Sequence, residues 1–302
     1  MKRVVGISLG SSARNHEVTI ELMGQQYKIE RIGTDGNMNK MIDIIRELDG
    51  KVDAFGLGGM DLYIYAVDRR YEFRDARRIS RAAEKTPIVD GSGLKNTLER
   101  RTIEQLAAET DLFIETKKVL LMSAMDRLGM AQAFEKAGCK MTYGDIPFVL
   151  GLPVPLASLK TLAMFARVLA PLVGQLPFTM IYPTGDKQAV NKTRFPRYFF
   201  DNDIIAGDFH FIHRYMPAEL PGKTIVTNTV TSDDVEFLKE RKLKTLITTT
   251  PEMEGRSFGT NVMEALLVCM GEGKKELSEE QYNNLLDQLD LKPRIVELNR
   301  EN

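Results

Sequence analysis

The stretch KVLLMSAMDRLGMAQAFEKAGCKMTYGD, from Lys118 to Asp145, decides the fold that this sequence predicts. Its apolar run from Val119 to Met122 indicates a strand that is buried on both faces of a parallel sheet. Apolar residues then recur at helical spacing up to Gly138, a residue type that commonly follows the last turn of a helix. A second strand leads to the acidic Asp145. This order of strand, turn, helix, strand and carboxylate is typical of the opening unit of a dinucleotide-binding fold.

The turn between the first strand and the helix, Ser123 to Gly129, is poor in glycine. A helix that begins near Arg127 would offer free backbone amides and a positive dipole end to an anion. The side chains of Ala124 and Met125, however, would hold a pyrophosphate away from the backbone. Two alternatives follow: a working NAD site, or a Rossmann-like unit that has kept the fold without the cofactor. For the first, the predicted cofactor-binding residues are Ser123, Asp126, Gly129, Asp145 and Thr229.

Size and composition limit the class of protein. A length of 302 residues allows one large or two ordinary α/β domains, and 27% charged residues are typical of a globular protein. The formal net charge of -1 gives no general attraction to nucleic acid, so no nucleic-acid partner is predicted. Cys139 and Cys269 have no paired spacing, which favours inert thiols in a reducing compartment. The amino terminus runs directly into a strand without a signal-peptide pattern, and we therefore predict a cytoplasmic protein.

Strands and helices alternate along the whole chain. This predicts an α/β fold with a Rossmann-like parallel sheet domain and a smaller α/β amino-terminal domain. Further strands are predicted at Asp203–Met216, Thr224–Thr229 and Leu243–Thr249, and an apolar helix from Thr260 to Met270. The predicted ranges are 1–110 for the amino-terminal domain on the substrate side, 111–265 for the Rossmann-like domain, and 266–302 for carboxyl-terminal helices packed back on the first domain.

The segment from Ile146 to Tyr182 is dense in apolar residues and is divided by prolines. Lys160 and Arg167 interrupt its longest piece, so it falls short of the roughly 20 apolar residues that a spanning helix needs. A helix from about Leu156 to Ala170 would be apolar on most sides, which favours a core helix or a homodimer interface. A lid over an apolar pocket and a contact with a membrane surface are the alternatives. We expect a homo-oligomer without an integral membrane segment.

Two charged or titratable groups of residues are candidates for ligand binding. In Gly207–Tyr215, a strand would put His210 and His213 on opposite faces, whereas a turn or helix would bring them together as metal ligands. The alternating phenylalanines favour the strand, so no metal is predicted, and His213 with Arg214 is expected to contact an anionic substrate or to be structural. A second group shares one helical face and could bind phosphate, carboxylate or RNA, although interleaved acids favour a solvated, ion-paired surface. Its members are Arg74, Arg77, Arg78 and Arg81.

Two loops are candidates for facing a substrate. Gly56-Leu57-Gly58-Gly59 follows a buried strand and would expose backbone amides, and Tyr182–Lys187 offers Lys187 as a proton donor. Both patterns also suit ordinary turns. The residues of these loops and of the segment Gly207–Tyr215 that are predicted to bind the substrate are Gly58, Gly59, His213 and Arg214.

The stretch IVDGSGLKNTLERR, from Ile88 to Arg101, and the strand that begins at Lys118 resemble the shikimate/quinate 5-dehydrogenase family. In that family an Asp-Gly-x-Gly turn, here Asp90 to Gly93, begins the helix that joins the substrate domain to the nucleotide domain. LITTTPEM, from Leu246 to Met253, resembles the later strand that leads to a Thr-rich turn near the nicotinamide. The resemblance covers the chain from Asp90 to about Ala265. It implies an NAD- or NADP-dependent enzyme for a polyhydroxylated cyclic acid, with Asp90 in the acid/base pair. The family's serine pair for the substrate carboxylate has a partial match in Ser11 and Ser12, which are therefore also predicted to bind the substrate.

The sequence departs from that family at two functional motifs. No Val-Thr-x-Pro-x-Lys segment precedes Asp90, and the glycine-rich turn is absent. Two functions therefore stay open. One is an NAD(P)-dependent oxidoreductase for a small hydroxylated carboxylic acid, with Asp90 and Lys187 as catalytic residues and Asp145 selecting NAD. The alternative is a non-catalytic, Rossmann-like protein that binds a small anionic metabolite or a nucleotide, for which a regulatory role is one option.

Overall fold

The computed structural model describes residues 1–66, 69–113, 115–156, 158–173, 175, 191–250, 252–253, 256–271 and 276–299. They form a mixed α/β fold whose two larger sheets are built mainly from parallel strand pairs, which confirms the predicted fold class. Lys187 and the loop around it lie outside the described residues. Within the described ranges, no helix combines the length and the apolar character that crossing a bilayer requires.

The chain divides into two compact units. Unit 1 comprises Met1–Thr97, Val168–Gln188 and Gly259–Leu291, and unit 2 comprises Leu98–Arg167, Ala189–Phe258 and Lys292–Asn302. The first transition lies inside a helix, between Thr97 and Leu98, whereas the sequence placed it near residue 110.

The structure contains fifteen strands and ten α-helices within the described ranges. In chain order the strands are β1 (Lys2–Ser8), β2 (His16–Leu22), β3 (Gln25–Gly33), β4 (Ala54–Gly58), β5 (Tyr63–Ala66), β6 (Arg69–Glu72), β7 (Ile88–Val89), β8 (Lys118–Leu121), β9 (Lys140–Tyr143), β10 (Ile204–Gly207), β11 (Thr224–Thr227), β12 (Thr245–Thr248), β13 (Glu252–Met253), β14 (Arg256–Ser257) and β15 (Arg294–Glu297). The helices are α1 (Met38–Leu48), α2 (Arg74–Ser80), α3 (Ser92–Glu109), α4 (Leu128–Lys136), α5 (Leu159–Val173), α6 (Pro196–Phe200), α7 (Phe209–Tyr215), α8 (Ser232–Glu240), α9 (Thr260–Met270) and α10 (Glu279–Gln288).

Unit 1 is centred on a five-stranded sheet in the order β2-β3-β1-β4-β7. β1 runs parallel to β3 and β4, β4 runs parallel to β7, and β2 is antiparallel to β3. One face of the sheet packs against α1 and α2 through a buried apolar cluster that includes Val5, Ile7 and Phe55. The chain places β2 and β3 on one side of β1 and then β4 and β7 on its other side, so the strand order of the sheet reverses at β1.

The other face of that sheet packs against α9, and two glycines allow the close approach. A Cβ on Gly6 would lie 2.7 Å from Cγ2 of Val262, and one on Gly56 would lie 2.6 Å from the carbonyl oxygen of Asn261. Side chains alternate between the faces of a strand, so the glycines of β1 and β4 point towards α9 and their apolar neighbours point towards α1 and α2. The helix α9 thus completes unit 1, although it is distant in sequence from the strands of the sheet.

Unit 2 is centred on a six-stranded sheet in the order β15-β12-β11-β10-β8-β9. All its strand pairs are parallel except that of β12 with β15. Val119 and Phe134 belong to the apolar cluster that includes α4, and Leu120 and Ile212 belong to the cluster that includes α7. The order of this sheet reverses at β8, so β8 and β10 flank the crevice where such folds usually bind ligands.

Two sequence-based expectations about local structure need correction. The strand predicted over Asp203–Met216 ends at Gly207, and α7 follows it. The side chain of Asp208 accepts a hydrogen bond from the amide of His210 and so caps α7. This cap favours a helix, although the alternating phenylalanines had indicated a strand. The helix predicted near Leu156–Ala170 is present as α5, but Met164 at its centre is 61% exposed in the single chain, so this side of the helix does not belong to the core. The homodimer interface, the lid and the membrane-surface contact stay predictions.

Candidate functional site

A carboxylate of the chain itself closes the turn after β8. The backbone amide of Ala124 donates to Oδ2 of Asp145 over 3.1 Å, and that of Met125 donates to Oδ1 over 3.0 Å. Asp145 is 6% exposed, and its burial raises the pKa of the carboxyl to about 6, against the lowering effect of these hydrogen bonds. Two amides that a nucleotide pyrophosphate would need in this turn are therefore already satisfied.

Arg127 precedes α4 and holds a buried ion network. Its guanidinium donates to Glu99 and, over 3.1 Å, to Oδ2 of Asp208. The side chains of Arg127 and Glu99 are each 1% exposed. Asn228 donates to the same oxygen of Asp208 over 3.0 Å. Because Arg127 follows β8 and Asp208 follows β10, the network joins the two strand ends that flank the crevice of unit 2.

Four of the five predicted cofactor-binding residues lie together at the start of unit 2, and the fifth lies apart. Ser123 and Asp126 belong to the turn that the buried carboxylate closes, and Gly129 is buried in the first turn of α4. Thr229 follows β11, and its hydroxyl lies 2.8 Å from that of Thr250. Thr229 therefore belongs to a separate threonine cluster after β11 and β12.

A second set of polar side chains lies near the carboxyl ends of β1, β4 and β7, in unit 1. We call it the strand-edge cluster. It consists of Ser8 at the end of β1, Asp61 after β4, Asp90 after β7, Lys95 in the first turn of α3, and Asn261 in the first turn of α9. In doubly wound sheets, ligands bind at this edge, next to the strand at which the order reverses.

Asp90, predicted as a catalytic residue, fixes the turn into α3. Its Oδ2 accepts a hydrogen bond of 2.5 Å from the amide of Leu62. Its Oδ1 accepts from both the amide and the hydroxyl of Ser92, at 2.9 Å and 2.6 Å. Asp90 is 7% exposed. These three hydrogen bonds give the carboxylate a positioning role, since it holds the loop after β4 against the start of α3.

Asn261 sits directly against the strand ends. A Cβ on Gly58 would lie 3.1 Å from Nδ2 of Asn261 and 3.1 Å from Oγ of Ser8, and one on Gly91 would lie 2.8 Å from the amide nitrogen of Asn261. Glycine at both positions therefore lets α9 begin in contact with β4 and α3. Within the described ranges, the carboxamide of Asn261 makes no hydrogen bond, and the residue is partly exposed. It offers a donor and an acceptor to a ligand.

Lys95 brings a positive charge to the same edge. The residue is 7% exposed, and its Nζ lies 3.6 Å from Oδ1 of Asp61, whose side chain is 18% exposed. An ammonium group is rarely this buried unless it is paired. The pair supplies both charges at a place where the neighbouring groups are hydroxyl and carboxamide.

Beneath this edge lies a buried acid that the sequence analysis did not single out. Oε2 of Glu264, in α9, accepts a hydrogen bond of 2.5 Å from the amide of Gly91, and the hydroxyl of Tyr282 donates to Oε1 over 2.6 Å. Burial, with the nearby charge of Asp90, raises the pKa of Glu264 to about 7. A glutamate inside the apolar helix TNVMEALLVCM is the sequence signal that could have revealed it.

The predicted substrate-binding residues fall into both units. In unit 1, Oγ of Ser11 accepts from the amide of Ala13, and the amide of Ser12 donates to Asp35. Both serines thus shape the loop after β1, while Gly58 and Gly59 follow at the end of β4.

The other two predicted contacts lie in unit 2, on α7. The ring of His213 packs on that of Phe237 with centroids 4.4 Å apart, and burial lowers its pKa. The guanidinium of Arg214 lies 5.4 Å from the ring centre of Tyr215. In the part of the chain that the structure describes, no group of three or more potential ligands has the arrangement of a metal site.

The two mainly parallel sheets, with polar side chains at the carboxyl ends of their strands, define a two-unit α/β protein of the Rossmann-like type. The chain belongs to the family described as Domain of unknown function (DUF8754), whose model matches residues 93–298, more than half of the chain. Residues 3–90 match a second model, Domain of unknown function (DUF8753). No curated protein matches the sequence.

Similar solved structures share the α/β class at low identity. A solute-binding protein of an ABC transporter from Agrobacterium vitis, bound with alpha-D-tagatopyranose, has 10% identity and a TM-score of 0.37, and the match covers 99% of this chain and 95% of that one. A glucose-galactose binding protein from Geobacillus stearothermophilus has 10% identity and a TM-score of 0.37, with 98% and 97% covered. L-tryptophan dehydrogenase from Nostoc punctiforme has 13% identity and a TM-score of 0.34, with 88% and 68% covered.

The prediction of an NAD-linked oxidoreductase is wrong, whereas the resemblance to the shikimate/quinate 5-dehydrogenase family stays a prediction. The geometry supplies the physical reason. Asp145 was expected to bind a ribose, but its carboxylate is buried on the amides of Ala124 and Met125. The turn lacks the glycines that would let a pyrophosphate approach instead.

Replacement of Asp145 by alanine is expected to destabilise unit 2 without affecting any response to NADH. The change leaves the buried amides of Ala124 and Met125 without their acceptor, which costs about 1–3 kcal/mol each when no water replaces it. Urea unfolding should show this loss, and calorimetric titration with NADH should give no saturable heat before or after the change. Saturable NADH binding that disappears in Asp145→Ala would contradict this account of the turn.

Proposed function

We propose that this chain is a non-catalytic binding protein for a small, hydroxylated and anionic metabolite, which unit 1 holds at the strand-edge cluster. The observation that carries the proposal is the carboxamide of Asn261. It is partly exposed, makes no hydrogen bond within the described ranges, and lies against Ser8 and the end of β4. A polar group of this kind, at the edge where doubly wound sheets bind ligands, is suited to hydrogen bonding with a ligand.

The neighbouring groups match a hydroxylated acid. Each ligand hydroxyl needs both a donor and an acceptor, and Asn261, Ser8 and Asp61 supply them. Lys95 supplies an ammonium group that can contact an anionic substituent of the ligand while it also pairs with Asp61 over 3.6 Å.

The role of Asp90 favours binding over catalysis. Its two carboxylate oxygens accept three hydrogen bonds from Leu62 and Ser92. A general base has to reach the substrate proton directly. Asp90 instead holds the loops that carry the cluster.

The test is equilibrium binding by calorimetry against two panels, polyhydroxylated carboxylic acids and neutral sugars of similar size. We expect at least one acid to bind, and Lys95→Met to weaken it tenfold or more, about 1.4 kcal/mol or more in binding free energy. Asn261→Ala should weaken binding through the loss of hydrogen bonds. Lys51→Met, which removes an exposed lysine of the same unit, serves as the matched control.

The outcomes separate charge recognition from hydroxyl recognition. Binding of an acid that is unchanged in both Lys95→Met and Asn261→Ala would remove the strand-edge cluster as the site. If neutral sugars bind more tightly than the acids and Lys95→Met does not change their affinity, the proposal that the ligand is anionic is overturned. If neither panel binds, the proposed function fails.

A further inference from the structure

Arginine side chains line an open surface groove of unit 1 that runs along α2 and extends to α1. The groove consists of adjoining cavities of 370 Å³ and 430 Å³ that share Arg78 and Arg81 in their lining. We call it the arginine groove. Its basic lining residues are Arg46 from α1 and Arg74, Arg77, Arg78 and Arg81 from α2 and its last turn.

The arginines differ in how far their charge is already compensated. Nε of Arg77 donates to Oε2 of Glu72 over 2.8 Å, which commits that side chain. Arg46 and Arg74 have looser ion pairs, at 3.9 Å and 3.7 Å, with acids of their own helices. Across the described residues, the guanidinium groups of Arg78 and Arg81 form neither an ion pair nor a hydrogen bond.

The local charge is positive although the chain as a whole is slightly acidic. Five arginines line the groove, three of them paired with Asp43, Glu72 and Asp75, which leaves the charges of Arg78 and Arg81 uncompensated, while the formal net charge of the chain is -1. Arginines three positions apart share a helix face, so Arg78 and Arg81 point the same way, and Arg46 faces them from α1. Like charges held together in this way repel one another, which an anionic ligand would relieve.

We propose that the arginine groove binds a small ligand with two or more phosphate groups, through Arg78, Arg81 and Arg46. A guanidinium donates two parallel hydrogen bonds to a phosphate, and its planar shape favours that geometry. Asp43 and Asp75 at the border would repel an extended polyanion such as RNA, so the favourable region is short. This site is independent of the strand-edge cluster.

The probe is inorganic tripolyphosphate, with citrate and a single-stranded RNA of about 20 nucleotides as comparison ligands, titrated at two salt concentrations. We expect tripolyphosphate to bind more tightly than citrate, and the double variant Arg78→Gln with Arg81→Gln to weaken it at least tenfold. The control double variant, Arg14→Gln with Arg197→Gln, removes the same charge from exposed arginines elsewhere and should leave binding within about twofold. Both double variants should unfold at the wild-type temperature, since all four side chains are on the surface.

Three results would overturn the proposal. Absence of tripolyphosphate binding by the wild type removes the site. Equal weakening in both double variants would mean that net charge, and not the groove, holds the ligand. RNA binding that is tighter than that of tripolyphosphate and is lost in the groove variant would replace the small ligand by a nucleic acid. Loss of hydroxylated-acid binding in Lys95→Met leaves this site unaffected, so the two proposals fail separately.

Discussion

Replacing Arg127 by methionine is expected to lower the free energy of unfolding of unit 2 by about 3–5 kcal/mol. Arg127 and Glu99 are each 1% exposed, and the guanidinium donates to both Glu99 and Asp208. Methionine fills much of the same volume but brings no charge, so the carboxylate of Glu99 would stay buried without its recorded partner. Oε2 of Glu99 already has no hydrogen bond among the described residues, so few other contacts would stabilise the charge of Glu99 once Arg127 is replaced.

Urea unfolding of three variants tests this expectation. Lys136→Met breaks a pair of similar length in the same unit, with Nζ 2.8 Å from Oε1 of Glu104, but both side chains are exposed and the loss should stay below about 1 kcal/mol. Arg127→Met combined with Glu99→Leu should recover part of the stability, because an apolar pair can replace a buried ion pair. If Arg127→Met alone is no less stable than Lys136→Met, the buried ion network of Arg127 contributes little to stability.

The second large effect concerns Glu264, whose replacement by glutamine is expected to remove a pH dependence of stability. Burial, and then the charge of Asp90, raises its pKa from the ordinary value of 4.5 to about 7. Between these values the folded chain keeps a proton that the unfolded chain releases, so stability falls as pH rises and levels off above about pH 7. The shift corresponds to a loss on the order of 3 kcal/mol across that interval.

The measurement is the free energy of unfolding of wild type and Glu264→Gln from pH 4.5 to 8. The oxygen of the new carboxamide can still accept from Gly91, so the variant should keep most of the stability at low pH and exceed the wild type at pH 8. Asp145 titrates in the same direction in both proteins, so the difference between the two curves isolates Glu264. Glu47→Gln, an exposed change in the same unit, should follow the wild-type curve. Parallel curves for Glu264→Gln and wild type would contradict the prediction.

Local patterns predicted much of the secondary structure. The apolar run after Lys118, the helical spacing up to Gly138 and the second strand correspond to β8, α4 and β9. Gly259 to Met270 was equally clear, because α9 is apolar on nearly all sides and begins directly after a glycine. These features depend on neighbours within a few residues, which is why the sequence alone shows them.

The position of Asp145 was predictable, but its partner was not. A carboxylate at the end of a strand can turn outwards to a ribose or inwards to the amides of its own turn, and the two arrangements share one sequence pattern. Here the carboxylate turns inwards, because the backbone amides of Ala124 and Met125 donate hydrogen bonds to it. The hydrogen bond between Gly91 and Glu264 joins residues 173 positions apart, and no spacing rule reaches that far.

The order in which unit 1 is assembled has a consequence for synthesis on the ribosome. The last strand of its sheet is β7, but one face of β1 and β4 is covered by α9. The ribosome completes α9 roughly 180 residues after β7, which takes on the order of 10–40 s at typical translation rates. Until then the nascent chain presents the side of the strands that carries Val4, Gly6 and Gly56 to the surrounding solvent or to a chaperone. A chain released before Thr260 would keep that face open and become a target for degradation.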